Sequence, residues 1–343
     1  MGTHCRAHTR GVSIMSDTIT LSDRAKILVI RQDRIGDVFV STPVLYALRE
    51  RYPHAQIDFL LSRNNTAASF AIEPVVNKIH ILRKNSLQML QLLWRLRRSK
   101  YDLLIDLNHT ASSTSNLLIR SAAARRSIVL ETSRPTPATI AVPQGDRRIR
   151  HIVDVLCDLL LPLGIPISAA QRCPRVVIDP KIMNAVRAKL EEGRARKILG
   201  VQISGSSSDR MYPIQALERV ISAIQQRFPS VRIVVMCAPS ERSLAAELAR
   251  NTSVEFVNPG SSYQHFAALI ASCTWLLSPD TAAIHVAAAH NVPSVVLFSR
   301  DHRGYANWLP YQAPCWPIIT EDTCLSSISS ESVVDQVVSM MTC

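Results

Sequence analysis

ILVIRQDRIGDVFVSTPVLYALRER, residues 27–51, decides how the rest of the chain is read. The aliphatic residues 27–30 run directly into a polar loop, Arg31-Gln32-Asp33-Arg34-Ile35-Gly36-Asp37. Apolar residues at helical spacing follow over 42–51. A short apolar run closed by a turn signal reads as a buried strand, and strand, loop and helix in that order open a parallel sheet. Gly36 permits a tight strand-to-helix turn. Asp37 then falls where the carboxyl end of the strand meets the crevice in which such sheets hold ligands.

The same alternation recurs along the chain. Strands are expected at 57–61, 78–82 and 103–106, with helices near 87–98 and 151–161. After Leu163-Gly164-Ile165-Pro166 the sequence turns polar and is broken at Pro166, Pro174 and Pro180, the composition of an interdomain linker. A second series follows, with strands at 198–203, 232–236, 275–277 and 294–298 and helices at 214–227, 241–250 and 281–290. The expected fold class is α/β: two Rossmann-like, doubly wound parallel-sheet domains facing a cleft. Residues 1–20 are expected to be a disordered extension, 21–165 the first domain, 166–195 the linker and 196–343 the second domain. A length of 343 residues suits two cores.

Composition narrows the class of function. With 47% apolar and 19% charged residues the chain can pack its cores, which excludes wholesale disorder. No apolar run approaches the roughly 20 residues that cross a bilayer. The leader carries His4, Arg6, His8 and Arg10 and lacks the apolar stretch of an export signal, with Met15 as an alternative start. A cytoplasmic location is therefore expected. The eight cysteines form no C-x-x-C pair, so neither a zinc ribbon nor a dithiol redox site is signalled.

The net charge of +12 is uneven. Residues 1–165 hold 23 Lys+Arg against 13 Asp+Glu, an excess of +10, and residues 166–343 hold 16 against 14, an excess of +2. Such an excess attracts nucleic acid or an anionic membrane with phosphorylated glycolipids. Nucleic acid is not expected as a partner, because no zinc-finger spacing or RNA-recognition aromatic motif accompanies the charge. The basic residues that would meet an anionic acceptor include Arg95, Arg97, Arg98, Lys100, Arg125, Arg126, Arg147, Arg148 and Arg150. A solvated basic face is the plainer account of any one of them.

The ten glycines form no G-x-G, and no Gly-Lys pair exists to build a P-loop. No D-x-D supplies a carboxylate pair for a divalent cation, so neither a metal nor a cofactor is expected. Protein groups would then neutralise any diphosphate.

Three clusters could carry chemistry. Asp37 in the first loop is either a general base or a helix-capping carboxylate. Ser204-Gly205-Ser206-Ser207-Ser208-Asp209-Arg210 offers backbone and hydroxyl donors with a guanidinium, which suits a pyrophosphate, or is an ordinary polar loop before a helix begun by Pro213. Ser278-Pro279-Asp280-Thr281-Ala282-Ala283-Ile284-His285 places helix N-terminal amides, a hydroxyl and a carboxylate together. There Asp280 is alternatively a plain N-cap and His285 a core histidine.

Together these segments resemble glycosyltransferase family 9, the lipopolysaccharide heptosyltransferases. ILVIRQDRIGDVFVSTPVLYALR resembles the family's opening signature, and SPDTAAIHVAAA at 278–289 resembles its second, usually D-T-G-x-x-H-x-A-A. The resemblance spans about residues 25–340 and implies a GT-B fold, with the acceptor on the first domain and the nucleotide sugar mainly on the second. It implies that Asp37 is the base, with Arg34 and Gly36 on the acceptor side. Arg210 stands where a donor-binding lysine precedes x-W-P, Glu241 matches a ribose-binding acid, and Asp280, Thr281, Ala282 and His285 match the donor motif, with Ser206 among the phosphate donors.

Three positions depart from the pattern: Ala282 for Gly, Arg210 for Lys and Tyr212 for Trp. The implied activity is inverting transfer from a nucleotide diphosphate sugar, with ADP-heptose as the candidate donor. The implied acceptor is an anionic glycolipid, a lipopolysaccharide core or related bacterial surface glycan, met by peripheral contact with the inner membrane. The alternative is a catalytically degenerate nucleotide-sugar-binding homologue.

Overall fold

The computed structural model describes residues 18–83, 85–191, 197–260, 262–299 and 305–343. Residues 1–17 of the expected extension and 192–196 of the expected linker lie outside the described residues. The first sheet contains β1 (Lys26–Arg31), β2 (Gln56–Ser62), β3 (Lys78–Leu82), β4 (Leu103–Asp106), β5 (Arg126–Leu130) and β6 (Ile140–Val142), in the order β3-β2-β1-β4-β5-β6. The second contains β7 (Ile198–Gln202), β8 (Arg232–Met236), β9 (Glu255–Phe256), β10 (Trp275–Pro279), β11 (Ser294–Phe298) and β12 (Cys315–Ile319), in the order β12-β11-β10-β7-β8-β9. Every pairing is parallel. Each sheet thus repeats the doubly wound strand order, and the order in which strands are added reverses between β1 and β4 in one and between β7 and β10 in the other.

Strands buried on both faces need continuous apolar runs rather than alternation, which is what Ile27 to Ile30, Leu103 to Ile105 and Val295 to Phe298 supply. The helices are α1 (Ile35–Arg51), α2 (Ser86–Ser99), α3 (Ser113–Ala122), α4 (Ile152–Cys157), α5 (Pro180–Glu191), α6 (Ile214–Arg227), α7 (Arg242–Thr252), α8 (Tyr263–Ala271), α9 (Ala282–Ala289) and α10 (Ser330–Thr342). One core runs through the middle of the molecule and joins the inner faces of both sheets with α1, α4, α8 and α9. A second lies under α6, α7 and α10, and a third under α2 and α3. Among the described residues no helix is long and apolar enough to cross a membrane.

The first helix begins at Ile35, earlier than the 42–51 span expected from its spacing. Its residues are buried nearly all round from Gly36 to Leu48, so no polar stripe marks its period, and Pro43 stands inside it. Pro43 cannot donate to the carbonyl of Phe39, and the Thr42 hydroxyl donates to that oxygen instead at 2.7 Å. The same Thr42 oxygen accepts the backbone N–H of Arg175 at 2.8 Å, which ties the 174–178 segment to α1. Helix α5 forms within the stretch expected to be linker.

Candidate active site

The first loop closes around a fully buried guanidinium. Arg31, the last residue of β1, donates from Nη2 to Asp37 Oδ1 at 2.6 Å and from Nη1 to the Leu107 carbonyl. Asp37 Oδ2 accepts the Arg34 backbone N–H at 2.7 Å, so the carboxylate does cap α1. Burial alone would raise the Asp37 pKa, but the Arg31 charge, the Arg34 amide and His109 outweigh it and hold the group below the usual carboxylate range. Asp37 is therefore ionised and nine-tenths enclosed, with its net shift set by charge. The Arg34 side chain is exposed.

Strand β4 brings in a partner loop that the sequence reading did not single out. Asn108 accepts the Gln32 N–H at 3.1 Å and donates to Asp106 Oδ1 at 2.6 Å. Burial drives the Asp106 carboxyl up to about 6 despite those bonds. His109 Nδ1 lies 3.9 Å from Asp33 Oδ2, and Asp33 is raised, chiefly by desolvation. The signal in the sequence was Asp106-Leu107-Asn108-His109, polar groups at the carboxyl end of an apolar strand.

Asp33, Asp37 and His109 offer ligand atoms within 4.8 Å of one another, a group that could hold a metal ion. The Arg31 guanidinium already stands 2.6 Å from Asp37 and 4.0 Å from Asp33, so one buried positive charge faces both carboxylates and is hydrogen-bonded to Asp37. Beside His109 a cavity of about 900 Å³ is lined by Ser112, Thr132, Arg134, Gln144 and Arg147.

The second sheet meets this loop at its own reversal point. Thr281 caps α9 by accepting the Ala283 N–H at 3.3 Å; Asp280, the other candidate cap, instead lies 3.4 Å from Arg210 Nη1. Gly205 is required where it stands, since a β-carbon there would lie 2.2 Å from the Arg210 carbonyl oxygen. That close backbone approach folds the 204–210 loop back on itself and aims Arg210 at Asp280. Ser204 donates to Glu241 Oε2 at 2.8 Å, which holds the acid at the end of β8 beside the same loop. Ser206 is exposed. Tyr212 faces away: it is buried in the outer core and donates to the Ile328 carbonyl at 3.0 Å.

Gly36 and His285 bring the two halves together. His285 is buried, its Nδ1 has no hydrogen-bond partner among the described residues, and burial pushes its pKa down to about 4. Trp308 stands between the halves, its ring 6.2 Å from His285 and 6.0 Å from His109. Of the expected residues, the folded chain gathers Gly36, Asp37, Ala282 and His285 around one contact and Arg210, Glu241, Asp280 and Thr281 around the second sheet's reversal point.

Two like-ordered parallel sheets with their loop sites at facing reversal points define the GT-B class of fold. Solved structures agree. A family 9 glycosyltransferase from Veillonella parvula superposes with a TM-score of 0.77 at 19% identity over 95% of this chain and 99% of that one. An ADP-heptose lipopolysaccharide heptosyltransferase II from Escherichia coli gives 0.70 at 18%, over 92% and 98%. The model of glycosyltransferase family 9 (heptosyltransferase) matches residues 89–336, and the chain belongs to that family. Lipopolysaccharide heptosyltransferase 3 of Escherichia coli K12 is 27% identical over 301 residues, 80% of this chain and 82% of its own length. The protein is a heptosyltransferase-like glycosyltransferase.

Proposed function

We propose that the chain transfers heptose from ADP-heptose, with inversion, to an anionic lipopolysaccharide core or a related bacterial surface glycan at the cytoplasmic face of the inner membrane. In this reading residues 21–165 form the acceptor-side domain and 196–343 the nucleotide-sugar domain. One observation carries it: the start of α1 abuts the start of α9 through Gly36 and His285, so the ionised Asp37 carboxylate stands beside the loops at the second sheet's reversal point.

Asp37 takes the proton of the acceptor hydroxyl as its oxygen forms a bond to the anomeric carbon. The bond from that carbon to the diphosphate oxygen breaks on the opposite face, which inverts the centre. Arg210, the Ser206 hydroxyl and the amides at Thr281 and Ala282 neutralise the leaving diphosphate. Glu241 accepts from the ribose hydroxyls and Asp280 from those of the sugar. Arg134 and Arg147, in the cavity beside His109, meet the anionic groups of the acceptor.

The test is incubation of purified protein with ADP-heptose and a core-oligosaccharide acceptor, following ADP release and the anomeric configuration of the product by NMR. Inverted product with one ADP per transfer is expected. Nucleotide binding without turnover would instead identify the degenerate homologue.

A further inference from the structure

Helix α2 carries two apolar faces. Leu92 and Leu96 are buried in the core beneath it. On the opposite side Leu87, Leu90 and Trp94 are 65%, 64% and 60% exposed. Their spacing of three and then four residues puts them in one stripe along the helix. A lone exposed leucine needs no explanation, but a leucine–leucine–tryptophan stripe covering about two turns does. Three exposed arginines border it, Arg95, Arg97 and Arg98. The Arg98 guanidinium lies 4.8 Å over the centre of the Trp94 ring, and residues 86–99 contain no acid.

We propose that this stripe docks the enzyme on an anionic bilayer, with Leu87, Leu90 and Trp94 entering the boundary between headgroups and acyl chains and the three arginines meeting lipid phosphates. Tryptophan favours that depth because its ring is apolar and its N–H is not. An apolar strip with a purely basic border is the pattern of a helix lying in the plane of an interface. Charge also argues against a second copy of the chain as the occupant. A two-fold contact through this face would bring the same acid-free, arginine-bordered surfaces together. Helix α2 covers the face of the first sheet opposite the core shared with the second sheet, and the donor loops belong to the second sheet, so docking leaves them free. The inference rests on the reading above that the acceptor is carried by a membrane.

The experiment uses the full chain with vesicles of phosphatidylglycerol and phosphatidylcholine, and with pure phosphatidylcholine vesicles. Wild type should sediment with the anionic vesicles, and its tryptophan emission should be quenched by brominated acyl chains. Trp94→Phe should lose that quenching. The Leu87→Ser/Leu90→Ser/Trp94→Ser variant should keep its melting temperature and donor binding while losing more than about tenfold in vesicle affinity. Vesicle affinity equal to wild type in this variant overturns the proposal, as does wild type that ignores anionic vesicles. A change of oligomeric state, read by light scattering, with unchanged vesicle binding also overturns it and assigns the stripe to self-association. Transfer to a deacylated, water-soluble acceptor is followed in parallel. In wild type, transfer without docking sinks the docking face alone and docking without transfer sinks the proposed function alone, whereas the triple variant should keep transfer to the soluble acceptor.

Discussion

A β-carbon on Gly36 would lie 2.9 Å from Cδ2 of His285 and 3.4 Å from the Ala282 Cα. The two signature loops, nearly 250 residues apart in sequence, meet at a point where only hydrogen fits. Alanine near the start of a helix would otherwise stabilise by about 0.5–1 kcal/mol through chain entropy. Here the ring it meets is buried and cannot swing away, so overpacking of about 1–3 kcal/mol decides the sign. Gly36→Ala should lower the melting temperature and lower kcat, because it pushes α9 from α1. A stabilised, fully active variant would refute the close approach.

Two carboxylates, Asp33 and Asp37, stand between β1 and the first turn of α1, and only Asp37 is hydrogen-bonded by the buried Arg31 guanidinium. Asp37→Asn should lower kcat by about 10²- to 10⁴-fold with donor affinity nearly intact, since a base acts in the transition state. Asp33→Asn should cost less than about tenfold. The reverse order of losses would make Asp33 the base, acting beside His109.

Arg31 supplies the positive charge that a cation would bring to Asp33 and Asp37. Transfer should therefore persist in EDTA. Loss of activity restored by Mg²⁺ or Mn²⁺ would place an ion among Asp33, Asp37 and His109.

His285 titrates at about 4 in the fold against an ordinary 6.5. Between those values the unfolded chain binds the extra proton, so this group removes stability as pH falls, on the order of 3 kcal/mol in full. Asp106, raised from 3.8 to about 6, has the opposite sign: its folded form binds the proton first and gains stability over that window as pH falls. Urea unfolding at pH 7 and pH 5 should show a smaller acid loss in His285→Gln than in wild type. Equal losses in the two proteins would mean that the imidazole is not desolvated.

Tyr212 occupies a position where the family usually has tryptophan, yet its side chain lies in the core and its hydroxyl bonds Ile328. Tyr212→Phe should cost about 1 kcal/mol of stability and leave the donor KM unchanged. A raised donor KM at unchanged stability would move Tyr212 into the donor site.

A β-carbon on Gly36 would meet the Ala282 backbone as well as His285, and nothing in that contact explains why alanine replaces the family's usual glycine at position 282.

The sequence by itself determined the α/β class, most of the strands and the loops that hold the chemistry. Those features are local: a buried parallel strand must be an apolar run, and a ligand loop must follow its carboxyl end. Helix 214–227 and strands 78–82, 103–106, 232–236 and 294–298 were legible to the residue for that reason. The start of α1 was not, because burial on all sides erases the helical stripe. Only the tertiary structure decided what the site residues do to one another. Arg31 reads as a loop cation but is the buried partner of Asp37; His109 carries no motif, and it and Trp308 reach the site through strand order and packing. Capping geometry set Thr281 rather than Asp280 on α9. Pairing, burial and the resulting pKa directions depend on which loops the two sheets bring face to face, and spacing along the chain does not encode that distance.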